Sequence, residues 1–337
     1  MTLAAPRWWY ERGRRPSPLL RLALAPVAGV WSWVTARRIA RAKPVDCGVP
    51  VICVGALTVG GAGKTPIVRA IAKLCRDRGV ATAVLSRGYG GRLAGPLRAD
   101  PVLHGAADVG DEPLMMSPDA PVWVSRDRAA GARAAARDGA QLIVMDDGHQ
   151  NPTVRKALSF LVVDGETRDG EWPFGGEAVV PLGPLREPLA AGLVRADAVI
   201  LVMPTDLAEA DPDLLARFGD VPVLIARAEP VDLPPSGPQL AFAGIAKPWK
   251  MERALKAAGC DLRDFAPLPD HAPLTDQTLS FLASRAKTLG AGLVTSEKDA
   301  VRLPTVWRDK VTVWRIRARF EDEAALWRMI QGALKQV

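Results

Sequence analysis

The segment VICVGALTVGGAGKTP, from Val51 to Pro66, places a glycine-rich loop between a short apolar run and the pair Lys64-Thr65. The apolar run predicts a buried strand, and the glycines allow a turn whose backbone N–H groups can surround phosphate oxygens. Lys64 is then placed to reach the β and γ phosphates, and the Thr65 hydroxyl to hold Mg²⁺ at the start of a helix. The segment therefore predicts a phosphate-binding loop for ATP or GTP with Mg²⁺.

One position of this loop departs from the strict pattern, because Thr58 stands where a glycine is usual, five residues before Gly63. A strand-to-helix turn that binds nothing is the alternative interpretation, but a surface turn has no reason to set Gly-Lys-Thr behind a buried strand. The nucleotide-contacting residues that we predict are Thr58, Val59, Gly60, Gly61, Ala62, Gly63, Lys64 and Thr65.

The composition is that of a well-packed protein. With 337 residues and 48% hydrophobic side chains, the chain can bury one large or two medium cores, and two α/β domains are expected. Its four cysteines include no CxxC pair. This pattern argues against a zinc site or a disulfide framework and favours buried free thiols in a reducing compartment.

The first 43 residues combine positive charge with apolar side chains. Nine Arg and Lys residues stand there against Glu11 alone, so this segment carries +8 while the whole chain carries +7. Its uninterrupted apolar run, 22–35, is shorter than the roughly 20 residues of a transmembrane helix, and Pro26 would kink it. Basic side chains favour anionic lipid and tryptophans favour the headgroup layer. Residues 1–43 therefore predict a helix lying in the membrane interface, with a helix packed on its own domain through Leu and Val as the alternative.

After this segment, apolar runs alternate with helical patterns. Two helices are predicted, at 65–78 and 126–138, among strands that have apolar side chains throughout. Such strands indicate a parallel sheet covered on both faces, with ligands at the carboxyl ends of the strands. The predicted strands are 49–54, 80–85, 121–124, 141–145, 158–163 and 198–202.

The second half of the chain predicts a smaller α/β unit. Strands at 221–226 and 311–317 flank it, and we interpret them as a two-stranded hinge. The domains expected are a phosphate-binding domain at 44–220 and a smaller domain at 221–320 that includes the hinge. The segment 321–337, with a last helix at 321–335, is expected to return to the first domain. Within the smaller unit the pattern predicts strands 239–243 and 293–296 and helices 249–258 and 276–289.

Three further clusters carry side chains that suit phosphoryl transfer. Asp146 and Asp147 directly follow an apolar strand, where a carboxylate commonly meets the Mg²⁺ of a nucleotide. Asp111 lies in an acidic turn, and transfer to a hydroxyl needs such a base near the attacking oxygen. His271 follows Asp270 in a proline-rich loop of the smaller unit. Each of these could instead be an ordinary cap or turn residue.

Taken together, the motifs resemble one family, tetraacyldisaccharide 4'-kinase, the lipid A 4'-kinase of Gram-negative bacteria. The resemblance covers nearly the whole chain, and in this family Thr58 is the usual residue at its position. The motifs that carry it, in chain order, are VGALTVGGAGKTP, SRGYGG, GDEP, the DR pair at Asp127-Arg128, DDGHQ, GPLREP, DHAPLT and TSEKDAVRL.

This resemblance implies a kinase that moves the γ-phosphoryl group of ATP to the 4'-hydroxyl of a tetraacylated glucosamine disaccharide 1-phosphate, giving lipid IVA. It implies a P-loop NTPase-like parallel sheet with helices on both faces and a smaller α/β domain. The implied partners are the lipid disaccharide and the membrane surface, with no nucleic acid and no obligate protein partner. The implied location is the cytoplasmic face of the bacterial inner membrane, peripheral or monotopic.

The resemblance also implies roles for individual residues. Lys64 and Thr65 would serve the phosphates and Mg²⁺, and Asp111 with His271 would take the hydroxyl proton. The expected metal-side carboxylates are Asp146, Asp147 and Glu187, and the expected substrate-binding residues are Arg126 and Arg128. His149 departs from the family, which more often has an aromatic residue such as Phe there, and we assign it no catalytic role.

Other functions of a phosphate-binding loop give different expectations. A GTPase usually carries [NT]KxD, and Ser296-Glu297-Lys298-Asp299 has the wrong order. A soluble small-molecule kinase and a non-enzymatic nucleotide switch at a membrane remain as rivals. A nucleic-acid partner is the weakest alternative, because the basic excess is confined to one apolar segment.

Overall fold

A computed structural model describes residues 6–335, and within them the strands form two sheets. Residues 1–5 and 336–337, the outer ends of the predicted segments 1–43 and 321–337, lie outside the described residues. The larger sheet contains β1 (Val51–Gly55), β2 (Thr82–Ser86), β3 (Leu97–Arg98), β4 (Val122–Val124), β5 (Leu142–Asp146), β6 (Leu158–Asp164), β7 (Ala198–Pro204), β8 (Val223–Pro230) and β13 (Ile316–Phe320). The smaller sheet contains β9 (Gln239–Ala243), β10 (Leu262–Pro267), β11 (Gly292–Ser296) and β12 (Val311–Trp314).

The larger sheet has the strand order β13-β8-β7-β6-β1-β5-β2-β4-β3 in the described part of the chain. All neighbours from β8 to β4 are parallel, and the two edge strands β13 and β3 are antiparallel to their neighbours. The carboxyl ends of β1, β2 and β5 therefore meet at one edge in the middle of the sheet, where α/β sheets bind their ligands.

Helices cover both faces of this sheet, which confirms the predicted architecture. Ile52 of β1 packs in one core with the side chains of α2 and α12, while Cys53 faces the opposite core with those of α5. The longer helices are α1 (Pro18–Arg41), α2 (Lys64–Asp77), α5 (Arg128–Arg137), α8 (Pro248–Ala257), α9 (Asp276–Thr288) and α12 (Glu323–Leu334). The short helices are α3 (Ala106–Val109), α4 (Asp111–Met116), α6 (Leu189–Leu193), α7 (Pro212–Ala216), α10 (Glu297–Ala300) and α11 (Thr305–Arg308), with 3₁₀ turns at Arg7–Tyr10 and Arg168–Gly170.

Two adjacent strands connect the two sheets. β8 leaves the larger sheet and β13 returns to it, and the two pair antiparallel from Ile316–Pro230 to Phe320–Ala226. The prediction of a single strand at 311–317 is wrong, because the chain leaves the smaller sheet after β12 and enters the larger one at β13. Arg315 stands at this crossing, where its carbonyl accepts a hydrogen bond of 2.9 Å from Val231 N–H.

The N-terminal helix α1 is longer than its apolar run suggested. It spans 24 residues with Pro26 inside, and it is long and apolar enough to cross a bilayer by length and composition. Three of its four leucines and all three of its valines are exposed, so it is not packed on its own domain mainly through Leu and Val, as the alternative required. It touches the larger domain instead through Trp31, whose indole donates to Arg186 O at 2.9 Å, and through Arg38, which donates to Gln150 O at 3.1 Å.

Candidate active site

The predicted phosphate-binding loop connects β1 to α2 and has a backbone that glycine permits. Gly60, Gly61 and Gly63 have φ values of 73°, 65° and 82°, in a region that side chains disfavour. Gly63 caps α2, whose first residue is Lys64. The first N–H groups of a helix have no partner within it, so this helix start offers them to an anion in the loop.

The first half of the loop is held by backbone pairing with the GPLREP segment at 183–188. Thr58 forms a β-bridge with Leu185, and Val59 N–H donates to Pro184 O at 2.9 Å. Thr58 is buried in this arrangement. A bridged, extended backbone has no need of glycine, which explains why threonine is accommodated where the strict pattern has glycine.

The acidic pair lies beside Lys64. Asp147 is 2.7 Å from the guanidinium of Arg186 and 3.6 Å from Lys64 Nζ. Burial disfavours ionisation of Asp147, but the positive charges of Lys64 and Arg186 outweigh it and lower the pKa of this carboxyl to about 2. Asp146 behaves in the opposite way, since burial, helped by the charges of Glu112 and Asp147, raises its pKa to about 7.

The carboxylate of Asp146 fits a cation. Its Oδ1 atom is buried without a hydrogen-bond partner, and such an atom is costly unless a proton or a cation satisfies it. Within residues 6–335, no three His, Cys, Asp or Glu side chains converge to hold a metal by themselves. Mg²⁺ is commonly held by one or two carboxylates together with phosphates and waters. Thr65, Asp146 and Asp147, which all line one cavity, therefore suit Mg²⁺ that arrives with a nucleotide.

Glu187 is engaged elsewhere. Both of its carboxylate oxygens lie 2.7 Å from the Arg195 guanidinium, and Oε1 also accepts from Gln150. Glu187 is buried, and among the described residues it is not one of those that line the cavity of Asp146 and Asp147. The geometry therefore separates Glu187 from the other two expected metal-side carboxylates.

His149 packs against the end of β1, the strand that leads into the phosphate-binding loop. Its ring nitrogens lie 3.0 Å from Ser159 Oγ and 3.0 Å from Gly192 O. Burial lowers the pKa of this imidazole to about 4, so it is neutral at physiological pH. A Cβ on Gly55 would come within 2.5 Å of the His149 Cβ, which shows how closely the two backbones approach. His149 is thus a packing residue of the sheet.

Asp111 and His271 meet across the two parts of the molecule. Asp111 is the first residue of α4, and His271 belongs to the loop after β10. His271 Nδ1 lies 3.0 Å from Asp111 Oδ2. Burial alone would raise the pKa of Asp111, but His271, Lys298 and Arg302 outweigh it and lower that pKa. The structure therefore brings together the two residues that the sequence placed 160 positions apart.

The two arginines expected at the substrate differ in their surroundings. Arg128 is buried and donates to Leu85 O at 3.2 Å and to Asp146 O at 2.9 Å, so it ties together the ends of β2 and β5. Arg126 is exposed, and its guanidinium lies 3.3 Å from Gly91 O. Both line the cavity, but only Arg126 has its charge accessible to a ligand.

A cavity of about 900 Å³ joins these groups. The phosphate-binding loop, the acidic pair and His271 all face it, while Asp111 lies behind His271. Three residues of α1, Trp31, Thr35 and Arg38, also line it. The cavity thus extends from the phosphate-binding loop to the apolar N-terminal helix.

Sequence reasoning missed three features of this site. Arg186 and Lys298 stand in the motifs GPLREP and TSEKDAVRL, but nothing in their spacing showed that they would meet Asp147 and His271. The third feature is a buried ion pair, in which Lys247 Nζ lies 2.7 Å from Asp164 Oδ2. It joins β6 to the start of α8 across 83 residues, so no local pattern could have signalled it.

Comparison with known proteins identifies the family. The model of the family described as tetraacyldisaccharide-1-P 4'-kinase matches residues 20–335. The chain belongs to this family. The match covers the loop, the acidic pair, Asp111, His271 and most of α1.

Two sequence relatives and one solved structure agree with this assignment. The tetraacyldisaccharide 4'-kinase of Phenylobacterium zucineum is 63% identical over 98% of this chain and 100% of its own length. That of Caulobacter vibrioides is 60% identical over 98% of this chain and 99% of its own. A crystal structure of LpxK from Aquifex aeolicus, described as an "apo" form in complex with ATP, is 25% identical with a TM-score of 0.73, covering 94% of this chain and 99% of that one.

Proposed function

We propose that this member of the 4'-kinase family transfers the γ-phosphoryl group of ATP to the 4'-hydroxyl of a tetraacylated glucosamine disaccharide 1-phosphate, giving lipid IVA. One observation carries the proposal: the phosphate-binding loop and His271, which has Asp111 directly behind it, face a single cavity. Transfer to a hydroxyl needs a bound phosphate and a proton acceptor at the same place.

On the nucleotide side, the backbone N–H groups of residues 60–65 and the ammonium of Lys64 would bind the phosphates, whereas Val59 N–H is already bonded to Pro184 O. The ATP complex of the Aquifex protein supports ATP as the nucleotide. Thr65, Asp146 and Asp147 would hold Mg²⁺, which neutralises charge on the β and γ phosphates. Glu187 is the weakest of the expected ligands, because Arg195 already pairs with it.

On the acceptor side, His271 lines the cavity and Asp111 holds its ring from behind. The acceptor hydroxyl would give its proton to this pair as its oxygen bonds to the γ-phosphorus. The bond from that phosphorus to the β–γ bridging oxygen breaks, and ADP leaves. Arg126 is the favoured contact for the charged part of the lipid, whereas Arg128 is engaged in holding strand ends.

The helix α1 would bring this cavity to the lipid. The acyl chains of the substrate stay in the bilayer, so a cytosolic nucleotide site must be held at the headgroup plane. Exposed leucines and tryptophans of α1 and its arginines suit that contact at the cytoplasmic face of the inner membrane, peripheral or monotopic. The residues of α1 that line the cavity connect the membrane-facing surface of this helix to the nucleotide site.

The two-part organisation supports a closing motion. The smaller domain, 221–320, contributes His271, and the phosphate-binding domain, 44–220 with 321–337, contributes Lys64. Movement about β8 and β13 would assemble the site only when both substrates are bound, which excludes water. A nucleotide-bound structure with His271 far from Asp111 would contradict this motion.

The decisive experiment supplies γ-labelled ATP and the disaccharide lipid in detergent micelles and follows the label by thin-layer chromatography. Label on the sugar supports the proposal. ATP consumption that does not depend on a lipid with a free 4'-hydroxyl would favour a nucleotide switch, and transfer to a soluble acceptor alone would favour a small-molecule kinase. Replacing ATP with GTP tests the choice of nucleotide.

A further inference from the structure

The motif TSEKDAVRL, at 295–303, lies against the Asp111–His271 pair and has no role in the mechanism so far. Ser296 caps α10, with Asp299 N–H donating to its Oγ at 3.1 Å. Asp299 is buried and accepts from Gly244 N–H at 3.1 Å. These bonds fix the short helix against the smaller sheet and direct Lys298 towards His271.

Lys298 lies between the imidazole and a carboxylate. Its Nζ is 3.3 Å from His271 Nε2 and 3.4 Å from Glu112 Oε1, and its side chain is only 21% exposed. Burial disfavours the ammonium form, but Glu112, Asp111 and Asp270 outweigh it and raise the pKa of Lys298. Lys298 therefore carries its charge next to the ring.

This arrangement determines which ring nitrogen of His271 carries the proton. An ammonium group has donors only, so Nε2 must present its lone pair to Lys298, and the single proton of the neutral ring is then on Nδ1, the nitrogen 3.0 Å from Asp111 Oδ2. The carboxylate of Asp270 favours the other tautomer, with the proton on Nε2. It lies 3.7 Å from Nε2, however, whereas Lys298 Nζ lies 3.3 Å from the same atom. The remaining neighbours are Arg302, 3.9 Å from Asp111 Oδ2, and the ring of Tyr89, 5.8 Å from that of His271 between centroids.

We propose that Lys298 is a positioning residue that holds His271 as the Nδ1–H tautomer, with the Nε2 lone pair directed into the cavity, and that Lys298 turns to Glu112 when the acceptor hydroxyl takes its place. This inference rests on the proposed role of Asp111 and His271. The O–H bond of the acceptor breaks and an Nε2–H bond forms while the oxygen bonds to the γ-phosphorus and ADP leaves. Lys298 keeps its proton throughout and acts only through His271.

Nitrogen NMR of the histidine-labelled protein tests the tautomer directly. The chain has three histidines, and His104→Gln removes the signal of the one that lies in neither site, which leaves His149 and His271. His149 is an internal reference with the opposite tautomer, because its Nε2 faces the carbonyl of Gly192 at 3.0 Å and must donate. We expect Nδ1–H for His271 and Nε2–H for His149 at pH 8. An Nε2–H or doubly protonated His271 in the wild-type protein would overturn the proposal.

Lys298→Met tests the contribution to turnover. Loss of the ammonium leaves Asp270 to attract a proton to Nε2, so we expect the His271 signal to leave the Nδ1–H form and kcat to fall roughly 10- to 100-fold, with the KM for ATP unchanged. Lys298→Arg, which keeps a donor at this position, should recover part of the rate. Lys287→Met, on the exposed side of α9, is the matched control.

Wild-type kcat together with an unchanged tautomer in Lys298→Met would overturn the proposal. Failure of the underlying function is a separate outcome. If His271→Gln kept full turnover, the pair would not be the proton acceptor, yet the tautomer of His271 in the wild-type protein would still support or contradict the placement of Lys298.

Discussion

The cavity has two walls that are built in different ways. The loop wall is formed by residues 51–65 and the pair Asp146-Asp147. These two segments are β1 with its following loop and the end of β5, and the two strands are parallel neighbours in the larger sheet. The second wall, which we call the dyad wall, presents His271 and Lys298 to the cavity with Asp111 behind His271, and it takes one residue from each of three separate segments. Local backbone conformation determines the first wall, whereas the placement of one sheet against the other determines the second.

The forces that hold the two walls differ accordingly. β1 is buried along its whole length and pairs with β5 and β6, so the loop wall rests on the core of the larger sheet. The dyad wall rests on contacts between charged side chains, and His271 is 33% exposed there. Substitutions in the two walls should therefore separate binding of the nucleotide from transfer of its phosphate.

The largest effect is expected in the dyad wall. Asp111→Ala should lower kcat by roughly 10²- to 10⁴-fold, because His271, which accepts the proton, loses the carboxylate that orients its ring and stabilises the charge it gains. Affinity for ATP should stay close to wild type, since Asp111 lies behind His271 and does not line the cavity. The measurements are the initial rate with the lipid acceptor and calorimetric titration with ATP and Mg²⁺.

Asp111→Asn is the matched control, because asparagine keeps the shape of the aspartate side chain and removes its negative charge. A loss of ATP affinity in Asp111→Ala would break the division between the two walls, because it would place Asp111 with the metal-side carboxylates.

In the loop wall, Lys64→Ala should cost about 2.7 to 4 kcal/mol of transition-state stabilisation, as for removal of one donor that stabilises developing charge. Lys64 faces the cavity from the start of α2 and lies 3.6 Å from Asp147. Steady-state kinetics give the value. Lys73→Ala, exposed farther along the same helix, is the control, and near-wild-type turnover of Lys64→Ala would refute the assignment of the loop.

The same contrast explains what the sequence could predict. Gly60, Gly61 and Gly63 need positive φ, and their spacing from Lys64 is visible in the chain, so the loop and its strand were predictable. The positions of Asp146 and Asp147 followed from one rule, that the carboxyl ends of parallel strands meet. The ends of the central strands were predicted to within two residues, because these strands are buried on both faces and mostly apolar.

Asp111 and His271 were separate candidates from the sequence, but their pairing was suggested only by family resemblance. Neither Asp111 nor His271 has a local pattern that indicates its partner, and the contact exists because the loop after β10 lies against the start of α4. Arg186 and Lys298 were missed for the same reason, since the spacing of a cation in a motif does not say which carboxylate or imidazole it will face. The strand predicted at 311–317 was wrong because one apolar run served two sheets.

Buried histidine gives a test on the loop side that does not involve activity. The folded state lowers the pKa of His149 to about 4, below the usual value near 6.5, so the unfolded state binds the extra proton between these values. Stability from this group is fully present above pH 6.5 and is lost as pH falls towards 4. Between pH 7 and pH 5 the free energy of unfolding should therefore fall by about 2 kcal/mol more in wild type than in His149→Gln.

Urea unfolding at the two pH values, followed by tryptophan fluorescence, provides this comparison. Using the difference between the two proteins cancels the titration of all other groups. An equal loss in both would mean that His149 is not held neutral behind the loop wall.

The smallest effect concerns the membrane, and it tests which wall is fixed there. α1 contacts the molecule through Arg186 and Gln150, both on the side of the loop wall. Arg41→Gln removes one exposed charge near the end of α1 and should weaken binding to anionic vesicles by about 1 kcal/mol, or about fivefold, at low salt. Arg76→Gln, exposed on α2, should leave vesicle binding unchanged. Equal losses of vesicle binding in the two variants would mean that the whole charged surface meets the membrane. α1 would then not be the element that holds the loop wall at the membrane.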